Sequence, residues 1–168
     1  MITTDYCQMM ARYNAWQSRG QMEVFQSMPS AELRKDRKSF FGSIFATANH
    51  LLWGDQLWMA RFDGGFGPSG GVKDSVNMHE NLQLFLDDRM RMDARITRWA
   101  AGLRQLDLVG PLTYRSVVAE REFSKPMEMC VTHFFNHQTH HRGQIHAMLS
   151  QAGQSIGDTD LVFMGEED

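Results

Sequence analysis

The chain has 168 residues, the length of one domain, and a chain this long buries a core without disulfides or a structural metal. Lys and Arg number 17 against 20 Asp and Glu, a net charge of −3 that lacks the basic footprint of a nucleic-acid binder. A hydrophobic fraction of 42% excludes a disordered chain, and no run approaches the roughly 18–20 apolar residues that span a bilayer.

The opening residues carry Asp5, Gln8, Arg12 and Asn14 with no apolar stretch among them, so no secretory signal is expected. Cys7 and Cys130 lie far apart in no motif, which points to a reducing compartment. The expectation is a cytoplasmic single domain over residues 1–168.

The spacing of Tyr6, Met9, Met10, Tyr13, Trp16 and Val24 predicts a first helix from about Asp5 to Gln26, with Thr3 and Thr4 as capping oxygens. Met28-Pro29 ends it. Residues 30–38 are polar and read as a connection with at most one helical turn. A second helix is predicted from about Phe40 to Arg61, apolar over Phe40, Ile44, Ala48, Leu51, Trp58 and Phe62 and therefore well buried. DGGFGPSGG, residues 63–71, is a loop.

A third helix is predicted from about Val76 to Leu103, with Leu82, Phe85, Leu86, Met92, Ile96, Trp99 and Leu103 as its stripe. Its charged run DDRMRMDAR reads as a solvated face. Residues 112–123 alternate in part and predict a hairpin. A fourth helix is predicted from about Lys125 to Gln151, with Ser124 ahead of Pro126 as its start signal. LVFM at 161–164 is expected to dock on the helices, and Gly165 to Asp168 to fray. The sum is an all-α four-helix bundle with a small β-hairpin between its third and fourth helices.

Five of the seven His fall between His133 and His146. At about 100° per residue, with His137 at 0°, His141 falls at roughly +40°, His133 at −40°, His140 at −60° and His146 at 180°. The apolar residues centre near +70°, so His137 and His141 sit at the inner edge of the core-facing side. Their i, i+4 spacing lets two imidazoles reach one ion. His133, His140 and His146 read as ordinary helix-surface residues.

A third ligand has to come from a facing helix. His50 lies in the buried second helix, on the line of Trp53 and Leu57, where an imidazole must find a partner. His79, beside Asn77 and Glu80, is explained by a solvated helix end. Three neutral imidazoles leave the ion's charge uncompensated and a coordination position open, the pattern of a catalytic site. No P-loop, GxGxxG, nucleophile elbow, HExxH or EF-hand spacing is present, and no catalytic side chain is singled out.

YNAWQ at 13–17, GSIFATANHLLWGDQLW at 42–58 and HQTHHRGQ at 137–144 resemble the DinB-like family, the DinB/YfiT-like superfamily of metalloenzymes distinct from the DNA polymerase that shares part of the name. The resemblance implies an up-down-down-up bundle that binds one divalent metal through one His on the second helix and two on the fourth, which here are His50, His137 and His141. With imidazole ligands the expected ion is zinc or nickel first, with iron or manganese behind them. The resemblance also implies a homodimer, for which the Met- and aromatic-rich first helix is suited. Some relatives are transferases using low-molecular-weight thiols such as bacillithiol or mycothiol, or isomerases of the maleylpyruvate type.

The expected function is a divalent-metal-dependent enzyme, a hydrolase, transferase or isomerase acting on a small molecule with a thiol as a candidate cosubstrate. The alternative is a non-catalytic metal-binding or stress-response module in which the ion is structural. Neither nucleic acid nor membrane is expected as a partner.

Overall fold

The computed structural model describes residues 2–116 and 119–166. It is mostly helical, with five α-helices and one two-stranded antiparallel sheet.

Helix α1 (Thr4–Ser27) begins where the Thr3 side chain accepts a hydrogen bond from the Tyr6 amide at 3.1 Å, and it stops at Met28 before Pro29. The single turn expected in the following connection is α2 (Ser30–Arg34), which inserts Leu33 into the core.

Helix α3 (Ile44–Asp63) starts four residues later than Phe40, because Ser43 is its cap, accepting from the Ala46 amide at 3.1 Å. Phe40 is left 83% exposed, contrary to its place on the predicted buried face. Gly64, in the left-handed region at φ 70°, ends the helix.

The loop after α3 is held by Arg95, whose guanidinium donates to the Asp63 carboxylate and to the Phe66 carbonyl. A 3-10 turn follows at Ser75–Asn77. Helix α4 (Leu82–Gly102) begins only after it, capped by Asn81, which accepts from the Leu84 amide at 3.1 Å; the predicted start at Val76 had merged the turn with the helix. Buried Asn49 ties this region to α3. Its amide donates to Phe45 O at 2.9 Å and His79 O at 3.3 Å, and its oxygen accepts from the His79 amide at 2.8 Å.

The hairpin pairs β1 (Pro111–Arg115) with β2 (Glu122–Pro126), Thr113 opposite Ser124 and Tyr114 opposite Phe123. Ser124 is therefore a strand residue and not the start signal of the last helix; α5 (Met127–Gln151) starts directly from Pro126. Two strands alone are marginal, and here Tyr114 packs on Trp58 of α3 with ring centroids 5.5 Å apart.

The four long helices touch in a ring: α1 on α4, α4 on α3, α3 on α5 and α5 on α1. Phe25, Ile44, Leu52, Met59, Ile96, Phe134, Phe135, Ile145 and Leu149 fill the centre with essentially no exposed surface. Both cysteines are free and buried, and burial pushes the Cys7 thiol up to about 11.

After α5 the chain lies over α1 through polar contacts. Tyr13 donates to Thr159 O at 2.6 Å, Gln17 to Asp158 O at 3.1 Å, and Arg12 to the carbonyls of Gly165 and Glu166 at 2.8 Å. The expected apolar docking of 161–164 is not what holds it, since Val162 is 84% and Phe163 61% exposed. Gly165 is anchored, and residues 167 and 168 lie outside the described set.

The charged run of α4 is the largest departure from expectation. Asp88 and Arg91 do form a partly exposed surface pair. Arg89 and Asp93, however, turn inward and are only 4% and 7% exposed. Arg89 donates to Asp55 Oδ2 and to Asp93 Oδ1, both at 2.6 Å. Asn14 donates to Asp93 Oδ1 at 2.8 Å, Gln138 donates to Asp55 Oδ1 at 3.0 Å, and Arg142 donates to Asn14 Oδ1. The network thus contains a residue from each of the four long helices. Positions 89 and 93 fall three or four residues from Phe85, Leu86, Met92 and Ile96, so the wheel itself places them inside.

Removing one partner of a buried ion pair leaves an uncompensated charge. Arg89→Ala should therefore cost about 3–5 kcal/mol in denaturant unfolding. Arg91→Ala, which loses only the pair with Asp88, should cost under about 1 kcal/mol.

Candidate metal centre

His50 comes from the middle of α3, and His137 and His141 come from successive turns of α5. One ring nitrogen from each lies within 4.8 Å of the others. His137 Nε2 and His141 Nε2 face each other at 3.1 Å.

Neighbouring hydrogen bonds fix which nitrogens are free. Ser75 Oγ gives its proton to Val72 O at 2.6 Å and stands 2.8 Å from His50 Nδ1. A hydroxyl has one proton, so Ser75 accepts from His50 Nδ1–H, and the lone pair of His50 is on Nε2. Gln144 repeats the arrangement at His141, its Oε1 2.8 Å from Nδ1, while its amide nitrogen is 3.1 Å from exposed His140 Nε2. The Nε2 lone pair of His141 therefore points at His137.

His137 Nδ1 is buried with no partner among the described residues. Its ring rests on Gly54 of α3. A Cβ built at position 54 would stand 2.7 Å from His137 Cε1, so only glycine leaves room for the imidazole in this place.

The walls are aromatic. Phe41 covers His50 at 4.1 Å between ring centroids and reaches His141 at 5.6 Å. Trp53 stacks beside His50 at 6.2 Å and keeps its indole N–H buried without a partner among the described residues. Burial lowers the proton affinity of all three imidazoles, and their neighbours add to it. His50 is pushed down to about 4, with His141 as the second cause, and His137 to about 3, with the other histidines as the second cause. His141 is also lowered, chiefly by burial.

Among the described residues the other histidines are not part of the three-nitrogen cluster, although the His133 ring lies 5.9 Å from His137 and the His140 ring 4.9 Å from His141. His133 packs on Trp58 at 5.1 Å, and burial and Arg61 lower its proton affinity. His79 Nε2 is 2.8 Å from Asp88 Oδ2, so it is paired rather than simply solvated. His146 lines a different cavity. Sequence reasoning missed Ser75, Gln144, Phe41 and Gly54. Gln144 alone carried a readable signal, sitting three residues from His141 on the same helix face.

The donor set suits a divalent ion. At about 2.0–2.1 Å from each nitrogen, a tetrahedral ion sets ligand nitrogens roughly 3.3 Å apart, close to the 3.1 Å between His137 and His141. Two acceptor lone pairs at that separation repel unless a cation or proton lies between them. The orientation of His50 and His141 by hydrogen bonds from their far nitrogens is the arrangement that metal-ligating imidazoles adopt.

The DinB family pattern matches residues 1–167. The chain belongs to the DinB family. It is 25% identical over 166 residues to Protein DinB from Bacillus subtilis (strain 168), covering 94% of this chain and 92% of that one. No solved structure matches it. In this DinB-family chain, two of the three stretches that carry the family resemblance converge on the site. The 42–58 segment brings His50 and Gly54, and the 137–144 segment brings both helix-α5 histidines and Gln144.

Two outcomes follow for the metal-free protein. An unperturbed imidazole titrates near about 6.5, above the folded values of about 4 for His50 and about 3 for His137. Between those limits the unfolded chain binds more protons than the folded chain. Stability should therefore be fully present above about pH 6.5 and fall as the pH drops toward 3, as urea midpoints measured across that range will show. Gly54→Ala should displace the His137 ring and cost about 1–3 kcal/mol by overpacking, with the shift in the His137 ring resonances reporting where the strain goes.

Proposed function

We propose that this protein is a metal-dependent enzyme acting on a small molecule, with one divalent ion held by the Nε2 atoms of His50, His137 and His141. The observation that carries the reading is the pair of far-side hydrogen bonds, donated by His50 Nδ1 to Ser75 and by His141 Nδ1 to Gln144, that leave two Nε2 lone pairs free beside the third imidazole. When bound, an ion with three neutral ligands supplies a Lewis-acid centre with a position for an exogenous group, the chemistry of a thiol-dependent transferase or isomerase. Zinc or nickel suits imidazole ligands, with iron or manganese behind them.

The chain's own groups do the rest. Phe41 and Trp53 shield the imidazoles from water, which strengthens electrostatic effects on whatever binds. The buried Trp53 indole N–H is a donor left over for a ligand. The ring of helix contacts supports an up-down-down-up four-helix bundle as a single domain. Among the described residues no helix is long and apolar enough to cross a membrane, and our reading is of a cytoplasmic homodimer.

Elemental analysis of the purified protein should find about one divalent ion per chain. His50→Ala, His137→Ala and His141→Ala should each lose it, while His133→Ala and His140→Ala retain it. The cobalt-loaded protein should change its visible spectrum when a small thiol is added. Metal loss shared equally by the control variants would defeat the ligand assignment. A cobalt spectrum indifferent to every added thiol or anion would make the ion structural.

A further inference from the structure

On another side of α5, away from the three histidines, a cavity of about 110 Å³ lies between α1, α5 and the chain that follows α5. Tyr13 and Gln17 line it from α1, Arg142, Gly143 and His146 from α5, and Thr159 from the final segment. None of His50, His137 or His141 takes part in it. Arg142 follows His141 in sequence but is turned about 100° from it around the helix axis, and His146 is turned about 180° from His137.

Arg142 is unusual among the buried charges. Arg89 has two carboxylates in hydrogen-bond contact, whereas Arg142 has none among the described residues. Its hydrogen bonds go to Asn14 Oδ1 and Thr139 Oγ1, both neutral, although the residue is only 4% exposed. The Tyr13 ring lies 5.1 Å from its guanidinium carbon, so an aromatic wall stands beside it, and each of its two terminal nitrogens, with two N–H groups apiece, makes one hydrogen bond among the described residues. Asp55 and Asp93 spend their hydrogen bonds on Arg89, Gln138 and Asn14 rather than on Arg142. A buried guanidinium in that condition is stabilised by an anion that brings two oxygens to its edge.

The other polar groups of the cavity are arranged around such a ligand. The Tyr13 hydroxyl and one N–H of Gln17 donate to the carbonyls of Thr159 and Asp158, which fixes the final segment over the cavity. Gly20 lets that segment come close, since a Cβ there would stand 3.2 Å from Ile156 O. His146 faces the cavity with no protein partner for its ring among the described hydrogen bonds. Asp and Glu are absent from the described lining.

We propose that this cavity is a binding site for a small oxyanion, a phosphate or carboxylate group, held by the guanidinium of Arg142 with His146 as a second donor. The site is independent of the metal centre and does not rest on the function proposed for it. Its occupant joins α1, α5 and the final segment, because each contributes a wall.

The test is calorimetric titration of the full chain with inorganic phosphate and, separately, with acetate, at constant ionic strength in a chloride background. Saturable binding of at least one of them is expected, and the stronger of the two identifies the tetrahedral or planar group the site takes. Arg142→Met should weaken it at least tenfold. Gly143→Leu supplies a second variant: Gly143 lines the cavity and a Cβ there meets nothing within 4 Å, so the larger side chain takes up open space at the site without displacing a packed neighbour. It should weaken binding at least tenfold while leaving metal content unchanged. Binding should persist in His137→Ala, which excludes phosphate bound to the ion. No saturable binding of either anion, binding untouched by Gly143→Leu, or binding lost in His137→Ala would each overturn the proposal.

Discussion

A buried ion pair with its attached amides is the constraint on which the rest of the molecule depends. Asp55 has essentially no exposed surface, and its two carboxylate oxygens accept from Arg89 of α4 and Gln138 of α5. Gln138 is the residue next to His137, and Asp55 is the residue next to Gly54. The same few hydrogen bonds that satisfy the charge of Asp55 therefore set the rotation of α3 against α5, and with it the distance from the Gly54 backbone to the His137 ring. A hydrophobic layer would tolerate sliding of one helix past another. A directed donor–acceptor set does not, because each lost bond in the interior costs a desolvated group.

The histidine cluster uses the same logic at closer range. Burial lowers the proton affinity of all three imidazoles, so they stand neutral at ordinary pH. Neutrality alone leaves two tautomers. Ser75 settles the choice for His50 because its own proton is already given to Val72 O, and Gln144 settles it for His141 through its amide oxygen. His137 receives no such help; the glycine beneath it and the imidazole facing it hold the ring by shape.

Much of this was legible in the amino-acid sequence, and the failures share a cause. The three clustered histidines follow from i, i+4 spacing on one helix and from a lone buried imidazole on another, both local signals. Thr3 as a cap and the turn at 30–34 are local too. Phe40 was drawn into α3 because its spacing fits the apolar stripe, whereas a serine three residues on offers the better cap. Arg89 and Asp93 were assigned to solvent on chemical type although their spacing put them inside; their partners Asp55 and Asn14 are distant in sequence, so no local pattern announces the compensation. Ser75 is 25 residues from His50, and no spacing rule links them. The final segment inverted expectation in the same way: its apolar residues are exposed, and its backbone carbonyls do the docking.

The two cysteines have a consequence for the company this protein can keep. Thiol–disulfide exchange proceeds through the thiolate and requires access. Cys7 lies inside the core with its thiol held protonated, and Cys130 is likewise buried and shifted upward by that burial. The folded chain therefore offers no nucleophilic sulfur of its own to a pool of small thiols and their disulfides. A protein built this way is not covalently titrated by such molecules while it stays folded.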